Sequence, residues 1–280
     1  MNMTELVKRT LSGTAYVGVM VAAILYHEVV FLALSIGLAF LAVREYNTLV
    51  RVHRLIDSFG EWSVLCSVFP CILAWVYPEL FSPLILLTLL LPLAALIAEL
   101  WSTEGNPIQN WGHLLIGQMM IVLPFALMNM LEHISPYLLL AVFVLIWTND
   151  TGAYCVGSLT AKLPKGNHKM FPRVSPKKSW EGLIGGMALA VGGGALLAYF
   201  GWFDGIGTTL NPYLTGICFA LVVSVFGTLG DLMESLFKRT IGVKDSGKFL
   251  PGHGGVLDRF DSILLAAPVA LLLVIILQQC

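Results

Sequence analysis

The segment "GDLMESLFKR" carries two acids and a base at helical spacing, a pattern that can hold a cation. Asp231, Glu234 and Lys238 follow one another at i, i+3 and i+7, so a helix presents all three on one face. The residues before them are apolar, and ionisable groups on a membrane-spanning helix must face protein or water. We expect the deepest of the three, Asp231, to be a metal ligand. The alternative for the other two is an ion pair between Glu234 and Lys238 at the membrane surface.

Glycine and charged residues also crowd into "GHGGVLDRFD", directly before the last apolar run. Asp258 and Asp261 are three residues apart, which predicts that they share one face at the start of the last helix. Asp231 and Asp258 would offer Mg²⁺ the one or two carboxylates that it takes from proteins, with Asp261 as a further ligand or a neighbour. Glycine amides and cations nearby would then meet the phosphate oxygens of a substrate. These groups belong to Gly252, Gly254, Gly255, Lys244, Lys248, His253 and Arg259.

A third polar segment, "WTNDTGAYCVG", lies at the end of the sixth apolar run. An ionisable residue in or near the membrane is costly, so Asp150 is predicted to be functional. Gly152 and Gly157 are expected to loosen the helix here and to free backbone groups that line a polar cavity. The alternative is that Asp150 caps a helix or pairs with a lysine of the following loop.

The segment "FPRVSPKKSWEG" predicts a phosphate site at the start of a helix. Ser179 is expected to cap this helix, and Glu181 suits the positive end of the helix dipole. Lys177 and Lys178 stand directly before the helix and would add positive charge. The alternative is an interfacial anchor in which Trp180 and the lysines contact lipid headgroups.

These residues are set in a predominantly apolar chain. Of its 280 residues, 57% are hydrophobic and only 12% are charged, about half the charged fraction of a soluble domain. Apolar runs of about 20 residues predict transmembrane helices, whereas a closed β-barrel would need short alternating strands. We therefore predict an all-α, polytopic integral membrane protein with about nine spans. The spans are 11–27, 29–48, 61–78, 81–99, 112–132, 135–155, 180–200, 211–237 and 261–279.

The placement of charges predicts the orientation of these spans. With the N-terminus in the cytoplasm, all 16 Lys and Arg residues fall in inner loops or at inner helix ends, as the positive-inside rule requires. The net charge of -1 provides no basic surface for nucleic acid. The inner segments are the N-terminus, 49–60, 100–111, 156–179 and 238–260. The polar segments should therefore lie on the cytoplasmic side of a multi-pass protein of the inner (cytoplasmic) membrane.

We predict one polytopic membrane domain over residues 1–280. Residues 1–133 supply the N-terminal spans, and residues 134–280 form a catalytic region with the cytoplasmic loops 156–179 and 238–260. These two loops hold 11 of the 16 basic residues, interleaved with glycine, proline and acids. The sequence has no internal repeat of the kind that marks many transporters.

The polar segments resemble those of the phosphatidate cytidylyltransferases, also called CDP-diacylglycerol synthases. The run "SLFKRTIGVKDSGKFLPGHGGVLDRFD" is similar to the signature of that family, and "NDTGAY" and "VSPKKSWEG" resemble further family segments in the same order. The similarity covers roughly residues 145–262. The matching signature positions are Ser235, Lys238, Arg239, Lys244, Asp245, Gly247, Pro251, His253, Gly254, Gly255, Asp258, Arg259 and Asp261.

The resemblance implies that CTP and phosphatidic acid react to give CDP-diacylglycerol and pyrophosphate, for phospholipid biosynthesis. It also implies a Mg²⁺-dependent site, assisted by a second cation such as K⁺, and a homodimer. Asp231 and Asp258 match the metal positions. Five basic groups would bind phosphates, and Asp150 would complete the polar cavity or touch the nucleotide. The basic groups are Lys177, Lys178, Lys238, Arg239 and Arg259.

Two other functions are compatible with the residues. A CTP-dependent lipid-alcohol kinase would transfer the γ-phosphate and release CDP instead of pyrophosphate. A cation-coupled transporter would use Asp150 and Asp231 as ion sites. The missing repeat and the gathering of polar residues on one side of the membrane, away from its midplane, disfavour a transporter.

Overall fold

The computed structural model describes residues 3–52, 93, 97, 99–101, 106–164, 166–247 and 254–279. Within these residues the regular elements are helices and one small two-stranded sheet. The elements are α1 (Met3–Tyr26), α2 (Glu28–Val52), a 3₁₀ turn (Glu99–Trp101), α3 (Pro107–Gly117), a π-helical turn (Gln118–Val122), α4 (Leu123–Ile134), α5 (Pro136–Thr160), β1 (Lys169–Phe171), β2 (Ser175–Ser179), α6 (Trp180–Tyr199), a 3₁₀ turn (Asp204–Ile206), α7 (Pro212–Thr240), α8 (Leu257–Phe260) and α9 (Ile263–Leu277).

The described residues include 6 helical stretches that are long and apolar enough to cross a membrane. They are Glu28–Val50, Pro107–Ile134, Pro136–Thr160, Trp180–Tyr199, Pro212–Thr240 and Leu257–Leu277. The first predicted span matches a shorter apolar segment of α1, Thr10–Tyr26. The prediction of an all-α polytopic membrane protein is therefore confirmed. Predicted span 61–78 and most of 81–99 lie outside the described residues, so the count of about nine stays a prediction.

The chain forms two compact units. The first unit comprises Met1–His133 with Ile241–Phe260, and the second comprises Ile134–Thr240 with Asp261–Cys280. Most of the predicted loop 238–260 thus belongs with the N-terminal spans. Asp258 lies in the first unit, whereas Asp231 and Asp261 lie in the second.

Glycines bring α5 and α6 of the second unit into close contact. A methyl group added at Gly186 would stand 2.6 Å from the backbone oxygen of Asn149, and one at Gly152 would stand 3.0 Å from the Cα of Gly186. Small residues at such crossings let helices pack without side chains between them. The expectation that Gly152 and Gly157 loosen this helix is wrong, because α5 continues unbroken to Thr160 and both glycines contact α6.

The predicted loop 156–179 contains a β-hairpin that the sequence analysis did not predict. Strands β1 and β2 pair antiparallel, with Lys169 opposite Ser179 and Phe171 opposite Ser175. Both carboxylate oxygens of Glu181 accept the backbone N–H of His168 at 3.0 Å, which joins the hairpin to the first turn of α6. The hairpin thereby fixes the segment that leads into α6.

The last membrane span is interrupted near its start. The α-helix ends at Phe260 and resumes at Ile263, so Asp258 lies in α8 and Asp261 lies in the turn between α8 and α9; that the two acids share one face stays a prediction. The carboxylate of Asp261 accepts the backbone N–H of Ser262 at 2.7 Å, and such a local bond competes with the helical ladder.

Candidate functional site

In the first unit, the Asp258 carboxylate organises the turn formed by residues 254–258. Its Oδ2 accepts the backbone N–H of Ser246 at 2.8 Å, the hydroxyl of Ser246 at 2.9 Å and the backbone N–H of Gly255 at 2.8 Å. Gly254 has a positive φ of 84°, a conformation that side chains rarely adopt. The sequence analysis assigned Gly254 and Gly255 to phosphate binding, but the Gly255 amide is directed at Asp258. The Oδ2 atom of Asp258 therefore stabilises the turn through these three hydrogen bonds.

A second carboxylate, from Glu45 of α2, contacts the same turn. Its Oε1 accepts the backbone N–H of Val256 at 2.9 Å, and its Oε2 accepts that of Leu257 at 3.1 Å. The hydroxyl of Ser246 lies 3.2 Å from Oε2. The sequence analysis missed Glu45. Its signal was an acid next to Arg44 near the inner end of predicted span 29–48, since an acid in a span is costly without a partner.

An apolar cavity of about 390 Å³ lies beside this turn in the first unit. Most of its lining comes from α1 and α2, and Val256, Arg259 and Phe260 complete it. The side chain of Arg259 is exposed at this cavity. Lys244 and Asp245 are exposed as well, whereas His253 and Lys248 lie outside the described residues.

In the second unit, several predicted residues line one polar cavity of about 190 Å³. Asp150 of α5 meets Lys177 and Lys178 of β2 there, and Thr228 of α7 closes another side. The remaining lining residues are Asn149, Ala153, Tyr154, Met170, Ser179, Gly182 and Leu183. Residues from the segments around 150 and 178, predicted separately, therefore line one cavity.

The start of α6 at this cavity has the predicted cap. The hydroxyl of Ser179 accepts the backbone N–H of Gly182 at 3.2 Å, which confirms Ser179 as the N-cap residue. Lys177 is exposed and makes no ion pair with any described residue. The cavity thus has a capped helix N-terminus with an available ammonium group beside it, a combination that suits an anion.

Asp231 of α7 contacts Lys178, which lines this cavity. The Lys178 Nζ lies 2.7 Å from Asp231 Oδ2 and 3.5 Å from the backbone oxygen of Thr228. The hydroxyl of Ser235 donates to Asp231 Oδ1 at 3.2 Å. Both charged side chains are partly buried, so Lys178 bridges the acid of α7 and the lining of the cavity.

Glu234 and Lys238, the other two charged residues predicted on this face of α7, contact each other, as the alternative interpretation predicted. The buried side chains of Glu234 and Lys238 form an ion pair, one helical turn apart. Arg239 is exposed near the helix end. Lys238 was predicted to bind phosphate, and it can do so only while also neutralising Glu234.

Four acids of the second unit lie close enough to interact with one another. Asp231 interacts electrostatically with Asp150 and with Asp261, and Glu234 interacts with Asp261. Each of these pairs brings two acids together, and a bound cation would offset the repulsion between them. No group of three or more His, Cys, Asp or Glu residues with metal-binding geometry occurs among the described residues. Mg²⁺ nevertheless needs only one or two protein carboxylates when substrate phosphate and water complete its shell.

Comparisons with known proteins extend over almost the whole chain. A family model described as "Cytidylyltransferase family" matches residues 7–277. A Haemophilus influenzae protein named phosphatidate cytidylyltransferase is 34% identical over 292 residues, which cover 93% of this chain and 96% of the relative. Proteins of the same name from Staphylococcus haemolyticus and Staphylococcus aureus are each 45% identical, over 139 and 140 residues. The chain aligns with about half the length of these staphylococcal relatives, 49% in both cases.

Proposed function

Because the chain belongs to the cytidylyltransferase family, we propose that it transfers the cytidylyl group of CTP to phosphatidic acid, giving CDP-diacylglycerol and pyrophosphate. The observation that carries this proposal is the second unit's cavity, where Lys177, Lys178 and the capped start of α6 meet the acids Asp150 and Asp231. Cations and a helix N-terminus attract phosphate, and the acids hold its metal counterion. A cavity that has both phosphate-binding groups and acids suits a nucleoside triphosphate.

The reaction needs little acid–base chemistry from the protein. An anionic phosphate oxygen of phosphatidic acid attacks the α-phosphorus of CTP, and the bond from that phosphorus to the bridging oxygen of the β-phosphate breaks. Pyrophosphate leaves with the electron pair. The main obstacle is repulsion between two anions, which Lys177 and Lys178 reduce by binding phosphate oxygens. Lys238, Arg239 and Arg259 are further phosphate ligands in this proposal.

Asp231 and Asp258 are the proposed metal ligands, and Asp261 is proposed as a further ligand or as a group that supports one. When bound, Mg²⁺ would stabilise the negative charge that develops on the leaving pyrophosphate. Asp231 has one oxygen on Lys178 and the other on Ser235, so both partners orient the carboxylate. Asp258 has its Oδ2 held by Ser246 and Gly255, which fixes the direction of its second oxygen. A second cation such as K⁺ remains part of the proposal.

The lipid substrate is proposed to approach from within the membrane, along the apolar cavity of the first unit. That cavity combines an apolar lining from α1 and α2 with the exposed Arg259. An acyl chain suits the lining, and the guanidinium of Arg259 suits the lipid phosphate. The apolar helices, and the predicted placement of all 16 basic residues in inner loops or at inner helix ends, support the proposal of an inner-membrane protein whose site faces the cytoplasm.

The proposal is tested with purified protein, phosphatidic acid and CTP labelled either at the α- or at the γ-phosphate. We expect the α-label to enter lipid and the γ-label to leave as pyrophosphate. Transfer of the γ-label to a lipid alcohol with release of CDP would instead identify a lipid kinase. Ion flux into liposomes without consumption of nucleotide would identify a transporter.

Two variants connect the activity to the cavity. Asp231→Asn should abolish most turnover, whereas Asp204→Asn in the turn Asp204–Ile206, outside the cavity, should retain it. Wild-type turnover by Asp231→Asn at saturating Mg²⁺ would contradict the role of Asp231.

A homodimer is also proposed, and copurification of two differently tagged copies from mixed membranes measures it.

A further inference from the structure

Glu45 is a charged residue on α2 for which the proposed reaction has no direct use. Its side chain is partly buried, and both of its oxygens accept hydrogen bonds from the 254–258 turn. We propose that Glu45 is a positioning residue that fixes this turn, and with it the carboxylate of Asp258, in the geometry that catalysis needs. Its link to catalysis rests on the proposed function, whereas the contact itself does not.

The contact is bidentate and involves consecutive amides. Oε1 accepts the Val256 N–H at 2.9 Å and Oε2 accepts the Leu257 N–H at 3.1 Å. Hydrogen bonds to a charged acceptor are stronger than neutral ones, and two of them in a fixed pair restrict both position and orientation. The two peptide groups that flank the Cα of Val256 are therefore each held by one oxygen of Glu45, directly before Asp258.

Ser246 connects Glu45 with Asp258. Its hydroxyl lies 3.2 Å from Glu45 Oε2 and 2.9 Å from Asp258 Oδ2. Its backbone N–H donates to the same Asp258 oxygen at 2.8 Å. The two carboxylates thus share one serine, and a displacement of Glu45 reaches Asp258 through the turn and through Ser246.

The carboxylate of Glu45 occupies space that a side chain at either of two glycine positions would fill. A methyl group added at Gly247 would stand 2.6 Å from Glu45 Oε1, and one at Gly255 would collide with Oε2 and with the Ser246 hydroxyl. Neither residue has the positive φ that would by itself favour glycine. The close approach of Glu45 therefore explains why both positions lack a side chain.

Glu45→Gln is the test, because glutamine keeps the shape of the side chain but replaces one acceptor oxygen with an NH₂ group. Ser35→Ala is the matched control. Ser35 lies on the same helix and is buried, with its hydroxyl 3.1 Å from Asn129 Oδ1, but it does not contact the turn. Hydrogen–deuterium exchange of peptides covering 254–260 reports the amides of Val256 and Leu257. Turnover is measured well below the unfolding midpoint of each variant.

We expect faster exchange in 254–260 for Glu45→Gln but not for Ser35→Ala, and a kcat about 10- to 100-fold lower than that of Ser35→Ala. Gly255→Ala should reproduce both effects from the other side of the contact. A purely structural Glu45 would lower the unfolding midpoint and leave kcat equal to that of the control, which would overturn the proposal. Unchanged exchange in Glu45→Gln would overturn it as well. If the wild type makes no CDP-diacylglycerol, the proposed function fails, and the exchange data still decide whether Glu45 holds the turn.

Discussion

Replacing Gly186 with alanine should disturb the polar cavity without altering any group that lines it. Gly186 lies on α6 where this helix crosses α5, opposite the backbone of Asn149. A Cβ atom there would stand 2.6 Å from the Asn149 backbone oxygen and 2.8 Å from its side-chain oxygen. Because ordinary contact begins near 3.4 Å, the two helices must separate by roughly 0.8 Å.

The size of the effect follows from this displacement. Overpacking of a tight interface costs about 1–3 kcal/mol. Asn149 and Asp150 are adjacent on α5 and both line the cavity, so the shift moves them relative to Lys177 and Lys178. Since a misplacement near 1 Å can cost about 100-fold in rate, we expect a 10- to 100-fold loss of kcat/KM.

Gly192→Ala is the control on the same helix, because a Cβ atom at Gly192 would meet nothing within 4 Å. Alanine there should be neutral or stabilising by about 0.5–1 kcal/mol through helix propensity. Release of pyrophosphate and thermal unfolding in detergent are measured for both variants and the wild type. If Gly186→Ala is as active and as stable as Gly192→Ala, glycine packing does not position the cavity and the reasoning is refuted.

Three further predictions concern the substrates and the metal. Lys178→Gln should raise the KM for CTP by about 10-fold or more, since it removes a charged phosphate ligand. Arg173→Gln, outside the cavity, should leave this KM unchanged, and equal KM values for the two variants would contradict the role of Lys178 as a phosphate ligand. Asp258→Asn should lower kcat by at least about 100-fold at every Mg²⁺ concentration of a titration, and normal turnover at saturating Mg²⁺ would contradict its role as a metal ligand. Ala15→Trp, which fills the apolar cavity, should raise the KM for phosphatidic acid by roughly 10-fold and leave that for CTP unchanged. Thr14→Trp, on the neighbouring residue outside the lining, is its control, and the same KM from both variants would exclude the cavity as the lipid site.

Features that depend on neighbours along the chain could be predicted from the sequence. The Ser179 cap and the Glu234–Lys238 pair join residues three and four positions apart, where helical geometry alone decides contact. The membrane-spanning helices could be predicted for the same reason, because length and hydropathy are local properties. The break at Asp261 is also local, but a side chain that binds the next backbone amide leaves no distinctive pattern.

Features that depend on distant segments could not be predicted in this way. Lys178 and Asp231 are 53 residues apart, and the sequence indicated a function for each without indicating their contact. Glu45 lies 211 positions before Val256, so an acid with no motif around it gave no reason to connect the two. The glycines of α5 illustrate a different limit. Glycine both weakens a helix and permits close packing, and only the position of α6 decides between the two.

The polar cavity is held in place by backbone packing more than by its ion pair. The Lys178 and Asp231 side chains retain 25% and 29% exposure, and ion pairs that keep contact with solvent contribute little to stability. The contact at Gly186, in contrast, involves backbone atoms that cannot rotate away. Lys178→Gln should therefore lower substrate affinity with little change in unfolding temperature, whereas Gly186→Ala should lower both activity and stability. A loss of stability from Lys178→Gln as large as that from Gly186→Ala would mean that the ion pair, and not the helix crossing, holds the cavity together.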